Sequence, residues 1–270
     1  MDSLSYVVEP VRGLWLIGID STDASENEQL GYPVVSGRLS PSTLAWIQAK
    51  LQQAQARGKQ VIAFMHHGVN PDFVVQPLLF PDYLVNEWSA VNLTLASAGL
   101  RVAFTGHYHA QDASYLCDQT LTPVSPLCDV ATSSLASFPC AYRLVTIQPD
   151  GQLSIESRRV TDIAADTAGM PFQEYAEADL RARLPALATY QLEYGFGVPH
   201  DQAVLLEPFV TDAILAGYAG DETPDATTQA VLNSFVGSPE PLHSLGLLLW
   251  GMWTDPPPAD SDLTVPLTTN

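Results

Sequence analysis

The residues best suited to chemistry in this chain are histidines in two short clusters. Of six histidines, four occupy the segments His66-His67 and His107-Tyr108-His109. Imidazole is the commonest protein ligand for Zn, Fe, Mn and similar ions. Two such ions about 3.5 to 4 Å apart polarise a phosphoryl oxygen, generate hydroxide at neutral pH and stabilise the leaving oxygen. Convergence of His66, His107 and His109 would therefore create a binuclear metal centre.

Both clusters follow apolar segments that predict buried strands. Residues 61–65 precede His66, and residues 102–105 precede His107. A helix is predicted between Ser40, a suitable N-cap, and Gly58, and a second helix over residues 86–98. This alternation of strands and helices predicts an α/β sheet with crossover helices. Ligands of such sheets gather outside the carboxyl ends of the strands, where both clusters lie.

The rest of the chain divides into a short β region and a longer helical region. Residues 14–19 form another apolar run that predicts a strand, and residues 142–147 and 153–160 flank the turn sequence Pro149-Asp150-Gly151, which predicts a hairpin. Helices are predicted over residues 172–184, 202–216 and 227–236, and residues 263–267 are strand-like. We expect residues 1–160 to form part of an α/β domain, with residues 161–270 as a mostly helical extension packed on it.

The two histidine motifs resemble the last two motifs of the calcineurin-like metallophosphoesterases. The matching segments are Met65-His66-His67-Gly68 and, about 40 residues later, Gly106-His107-Tyr108-His109, each after an apolar strand. The resemblance implies a sandwich of mixed β-sheets flanked by helices, of which residues 1–160 would be the C-terminal half of the catalytic domain. It implies hydrolysis of phosphomonoesters or phosphodiesters at two divalent or trivalent ions, of Fe, Mn, Zn or Co. His66 and His107 would bind one ion and His109 the other, with His67 beside the substrate or behind the ligands.

The first three motifs of that family, D-x-H, G-D-x-x-D and G-N-H-[DE], do not occur in this sequence. Three hypotheses follow: a fragment of a longer enzyme, half of a split enzyme, or a degenerate domain without catalysis. We favour the fragment, because residues 3–10 resemble sequence from inside a domain. On that hypothesis an N-terminal half is missing, and this chain alone should bind metal weakly and hydrolyse little. A non-catalytic interaction module on the same scaffold is the alternative from another functional class.

Three further residues are candidates for supporting roles around the metal centre. Asp20 ends the first predicted strand and would either orient a ligand imidazole or cap the following turn. Asp112 lies three residues beyond His109 and would serve the H-x-H loop in the same way. Tyr108 would line the pocket or lie exposed on its loop.

The composition limits the partners and the compartment that we expect for this protein. Acidic residues outnumber basic ones by 30 to 11, giving a net charge of −19, and such a surface disfavours nucleic acid. No apolar run approaches the ~18 residues of a transmembrane helix, and no secretory signal is recognisable. We therefore expect a soluble protein, either cytoplasmic or, if a signal lies upstream of Met1, exported.

The three cysteines, Cys117, Cys128 and Cys140, lack the C-x-x-C spacing of a structural zinc site. The sequence allows either a Cys117–Cys128 disulfide or free thiols.

Overall fold

A computed structural model of the chain describes residues 3–25, 27–118, 122–220, 223–254 and 258–267. The strands are β1 Tyr6–Val11, β2 Leu14–Gly18, β3 Gln60–Phe64, β4 Val102–Thr105, β5 Asp112–Cys117, β6 Pro123–Ala131, β7 Ala141–Ile147, β8 Gln152–Arg159 and β9 Asp262–Pro266. The helices are α1 Asn27–Leu30, α2 Pro41–Ala56, α3 Gln76–Leu79, α4 Trp88–Ser97, α5 Phe172–Tyr190, α6 His200–Ala219, α7 Ala226–Val236 and α8 Leu242–Trp253. A 3-10 turn spans Pro81–Tyr83, and a π-helical segment, Gln191–Gly195, follows α5.

A six-stranded mixed sheet in the order β1-β2-β3-β4-β6-β5 forms the centre of the molecule. Strands β2, β3, β4 and β6 run parallel, while β1 and β5 pair antiparallel at the two edges. The predicted strands that precede the histidines are confirmed as β3 and β4, which are direct neighbours. Their apolar runs suit a position between two covering layers.

The two faces of this sheet are covered by different layers. On one face, α2 and α4 bury Ile47 and Leu95 against alternate strand residues such as Ala63. On the other face, Ile62 and neighbouring strand residues pack against Ile155 of a second, antiparallel sheet in the order β7-β8-β9. The protein is thus a mixed α/β structure with two stacked sheets and flanking helices.

Local sequence signals located several of these elements correctly. Ser40 caps α2 by accepting a hydrogen bond from the Thr43 amide at 3.1 Å, as the N-cap pattern predicted. The predicted hairpin is confirmed as β7 and β8, with Val145 paired to Ile155. The strand-like segment at the end of the described chain is β9, which returns to pair with β8.

The helical region packs against the histidine side of the sheet. Helices α5 to α7 lie where the sequence predicts them, although α5 runs on to Tyr190, and α8 was not predicted. These helices share an apolar core that includes Leu192, Leu232 and Leu249, and Phe73 of the loop after β3 is buried in it. No helix within the described residues has both the length and the apolar character that crossing a bilayer needs.

Candidate metal centre

Three histidine rings lie in contact at the carboxyl ends of β3 and β4. The ring centroids are 4.4 Å apart for His66 and His107, 4.7 Å for His67 and His107, and 5.1 Å for His66 and His67. The backbone of the two loops is joined where the strands end, because the Gly106 amide donates to the His66 carbonyl at 3.1 Å. The parallel pairing of neighbouring strands therefore aligns the two clusters found in the sequence.

His109 lies on the same loop, at the outer side of the cluster. Its ring contacts that of Tyr218 of α6, with 6.0 Å between the ring centroids. Burial and the nearby His66 lower its pKa below the ordinary histidine value. His66 and His109 are partly exposed, whereas His107 is half-buried and His67 is buried.

The His107 loop has an unusual backbone. His107 has a φ of 72° and His109 a φ of 67°, so both lie in the left-handed region. Few residues other than glycine adopt this conformation, and residues that do so cluster at binding and catalytic sites. Both histidines of the H-x-H tripeptide therefore share this conformation, and Tyr108 between them does not.

His67 is held by hydrogen bonds through both of its ring nitrogens. Its Nε2 lies 2.9 Å from the Val35 carbonyl, which can only accept, so Nε2 carries the proton. Its Nδ1 therefore accepts from the Ser21 hydroxyl at 2.8 Å, and that hydroxyl in turn accepts from the His67 amide. Gly37 allows this packing, because a Cβ there would lie 2.4 Å from His67 Cγ. His67 has no lone pair left for a metal ion.

The other rings keep nitrogen atoms available. His107 Nε2 donates to the same Val35 carbonyl at 3.2 Å, which leaves the lone pair on its Nδ1. No described residue forms a hydrogen bond with the ring nitrogens of His66 or His109. Burial, reinforced by His67, His66 and then His109, lowers the pKa of His107 to about 4, and burial also lowers the pKa of His66. At neutral pH these imidazoles are uncharged, which is the form that binds metal ions.

Asp129 of β6 holds the loop that carries His66 through hydrogen bonds to its buried carboxylate. Its carboxylate accepts from the Val69 amide at 2.6 Å, from the Asn70 amide at 3.0 Å and from the hydroxyl of Thr105. Burial raises the pKa of Asp129 to about 6, against the opposing effect of these donors. Asn70 is itself fully buried and donates to the Ser114 carbonyl at 3.0 Å. The loop that carries His66 is therefore anchored to three strands.

The three predicted supporting residues occupy different surroundings. Asp20 accepts from the Leu4 amide and from both the amide and the hydroxyl of Thr22, which is the turn-capping arrangement. Asp112 is buried at the start of β5, where its carbonyl accepts from Arg143. Tyr108 packs beneath the site against Tyr83, at a centroid distance of 5.0 Å, and not on an exposed loop.

Ser21, Val35, Gly37, Tyr83 and Asp129 also shape the site, although the motifs did not point to them. A signal for Asp129 exists in the sequence, since residues 127–131 read Leu-Cys-Asp-Val-Ala, with an acid inside an apolar strand. Val35 and Gly37 belong to a loop without a motif. Their roles arise from tertiary contact alone.

The donor chemistry suits metal ions such as Zn, Mn, Fe or Co, but the ligand set is partial. Among the described residues, no group of three or more His, Cys, Asp or Glu side chains is arranged to hold a metal ion. His66, His107 and His109 each offer a neutral nitrogen at one edge of the sheet, and structural or catalytic sites use at least three protein ligands for each Zn²⁺ ion. The three imidazoles would therefore supply part of the ligand set of a metal centre.

The three thiols are free. Cys117 is half-buried on β5, and Cys128 and Cys140 are buried. Of the two arrangements left open by the sequence, the structure has unpaired cysteines.

Comparison with solved structures shows a likeness of low similarity to a phosphatase. The chain is similar to a dimetal phosphatase from Danio rerio known from its crystal structure, with 17% sequence identity and a TM-score of 0.43. The likeness covers 58% of this chain, and the matched part spans 58% of the length of that protein. No family model and no curated protein matches the chain.

Proposed function

We propose that this chain contributes to the metal-dependent hydrolysis of phosphate esters at a binuclear site of the calcineurin-like type. His66 and His107 would bind one ion and His109 the other. The observation that carries the proposal is the contact between the His66 and His107 rings, whose centroids lie 4.4 Å apart at the ends of adjacent parallel strands. The three neutral imidazoles also lie at the carboxyl ends of the strands, which is where α/β sheets bind their ligands.

When bound, the ions would polarise the phosphoryl oxygen and supply hydroxide at neutral pH. The residues of this chain have simpler tasks. His107 is oriented by the Val35 carbonyl, so that its Nδ1 lone pair faces away from that hydrogen bond. His67, with both nitrogens engaged, positions the same carbonyl and therefore His107. We assign His67 a positioning role and not a metal-binding one.

Three imidazoles are fewer ligands than two ions need, so the proposal includes weak metal binding and low turnover for this chain by itself. The left-handed backbone of His107 and His109 supports a functional role for the loop, because such strain is retained where a site depends on it.

The test is hydrolysis of p-nitrophenyl phosphate and bis-p-nitrophenyl phosphate with added Mn²⁺, Zn²⁺, Co²⁺ or Fe²⁺. We expect low, metal-dependent turnover that is lost in His66→Ala, His107→Ala and His109→Ala. His200→Ala is the matched control, because His200 lies on the surface at the start of α6 and pairs, within the described part of the chain, with Glu193. Turnover that is absent with every metal, or equal in all four variants, would overturn the proposal.

A further inference from the structure

A largely apolar cavity of about 260 Å³ begins at the His107 and His109 rings and extends into the helical region. Its inner walls come from α5, α6 and α8, and they include Leu184, Ala188, Val210, Leu245, Leu248 and Met252. The cavity therefore lies between the candidate metal centre and the helices to which the sequence assigned no chemistry.

Apart from Gln191 after α5, the polar lining is concentrated at the histidine end. There the cavity meets His107 and His109 together with Tyr83, Tyr108 and Tyr218. A ligand of this cavity would meet the polar atoms of these rings at one end and hydrocarbon at the other.

The volume is large enough for a substantial organic group. An engineered apolar cavity of about 150 Å³ binds benzene. In proportion, 260 Å³ accommodates on the order of ten carbon atoms. A methyl or glycerol group would leave most of the apolar wall uncovered, and burying apolar surface is what favours binding in such a cavity.

The outer rim of the cavity carries exposed apolar side chains beside Gln191. Leu187 of α5 lines the cavity and is 53% exposed. Tyr190 and Tyr194 follow Leu187 along the chain, and both are exposed, with 4.6 Å between their tilted rings. Exposed apolar groups beside an apolar cavity are typical of a ligand-binding entrance.

We infer that the site takes phosphate esters whose organic group is an apolar chain or ring of up to about ten carbons. The apolar group would occupy the cavity between α5, α6 and α8, and the phosphate would lie at His107 and His109. This inference rests on the proposed function, since it names the substrate class of the same site.

The first experiment measures binding of a series of n-alkyl phosphates, from ethyl to dodecyl phosphate, by calorimetry on the full chain with Mn²⁺ present. Each buried methylene should tighten binding about fourfold, and the gain should stop near ten carbons, where the cavity is full. Ile214→Trp should fill the cavity, because Ile214 lines it from α6. That variant should bind octyl phosphate at least tenfold more weakly and ethyl phosphate unchanged.

Two exposed leucines provide a variant pair that preserves folding. Leu187→Gln alters the rim, while Leu93→Gln alters an exposed leucine of α4, 44% exposed, that does not line the cavity. We expect several-fold weaker binding of octyl phosphate in Leu187→Gln and no change in Leu93→Gln. Equal binding by both variants and by Ile214→Trp would overturn the inference.

A parallel series of n-alkanols separates this inference from the proposed function. Alkyl phosphates that bind or react with no dependence on chain length would overturn the apolar-substrate assignment while leaving phosphoesterase chemistry intact. Alkanols that match the corresponding phosphates in affinity would overturn the phosphate part, and the proposed function with it. A chain-length dependence together with tighter binding of the phosphates supports both.

Discussion

Asp129 gives the sharpest quantitative prediction, because it is a fully buried carboxyl that joins the His66 loop to β4. Its pKa lies at about 6 in the folded protein, against an ordinary value of 3.8. Each pKa unit is worth about 1.4 kcal/mol, so the ionised form destabilises the fold by about 3 kcal/mol relative to the protonated form. The folded state holds the proton more tightly than the unfolded state does. The protonated carboxyl therefore contributes its full stabilisation below pH 4, and that contribution is lost as the pH rises towards 6 and above.

The perturbation is Asp129→Asn, which keeps the hydrogen bonds. The amide oxygen can accept from the Val69 and Asn70 amides, and the amide nitrogen can donate to the Thr105 hydroxyl. The variant removes the titration, so the free energy of unfolding of the variant minus that of the wild type should rise by about 2.5 kcal/mol between pH 4 and pH 7. Urea unfolding at intervals of pH measures this difference, and the subtraction removes the titration of all other groups.

Asp20→Asn is the matched control with the opposite sign. Burial raises the pKa of Asp20, but hydrogen bonds from Leu4 and Thr22 outweigh that effect and lower the pKa below its ordinary value. Its ionised form is therefore stabilising above its unfolded pKa, and that contribution is lost as the pH falls. A difference for Asp129→Asn that stays constant from pH 4 to pH 7 would refute the account of this carboxyl.

The other predictions concern packing and thiol chemistry. Gly37→Ala should lower the free energy of unfolding, measured with urea, by about 1–3 kcal/mol, because its Cβ would meet the His67 ring at 2.4 Å. Gly237→Ala is the control. A Cβ there meets no atom nearer than 3.4 Å, so its free energy of unfolding should differ from that of the wild type by at most about 0.5 kcal/mol. Equal values for the two would show that the Val35 loop does not press on the histidine. With a thiol reagent, Cys117 should react first and Cys128 only on unfolding, since burial and then Asp129 raise the pKa of Cys128 to about 12. Detection of a single thiol after unfolding would instead indicate a disulfide.

The sequence predicted best those features that depend on residues within a single strand or helix. Continuous apolar runs before His66 and His107 predicted two buried strands, and parallel neighbours necessarily end at the same edge of a sheet. The capping pattern at Ser40 predicted the start of α2 for the same reason, since the interaction is confined to one turn. Thus the main strands and the position of the histidines could be predicted without tertiary information.

Contacts between distant segments could not be predicted in this way. The Val35 carbonyl contacts His67 and His107, which are 32 and 72 residues away along the chain. The apolar sequence of α8 has no clear helical or strand periodicity, and in the structure it is a helix that packs against α6 and α7. The apolar cavity requires three helices to meet the histidine loop, and nothing in their separate sequences encodes that meeting.

The most direct test of the central claim is equilibrium metal binding by the purified chain. Calorimetric titration with Zn²⁺ and visible absorption with Co²⁺ would compare the wild type with His66→Ala, His107→Ala, His109→Ala and the control His200→Ala. We predict weak binding that each of the first three substitutions reduces at least tenfold and that the control leaves unchanged. Binding of equal strength in all five proteins, or none in the wild type, would contradict the claim that these imidazoles are metal ligands.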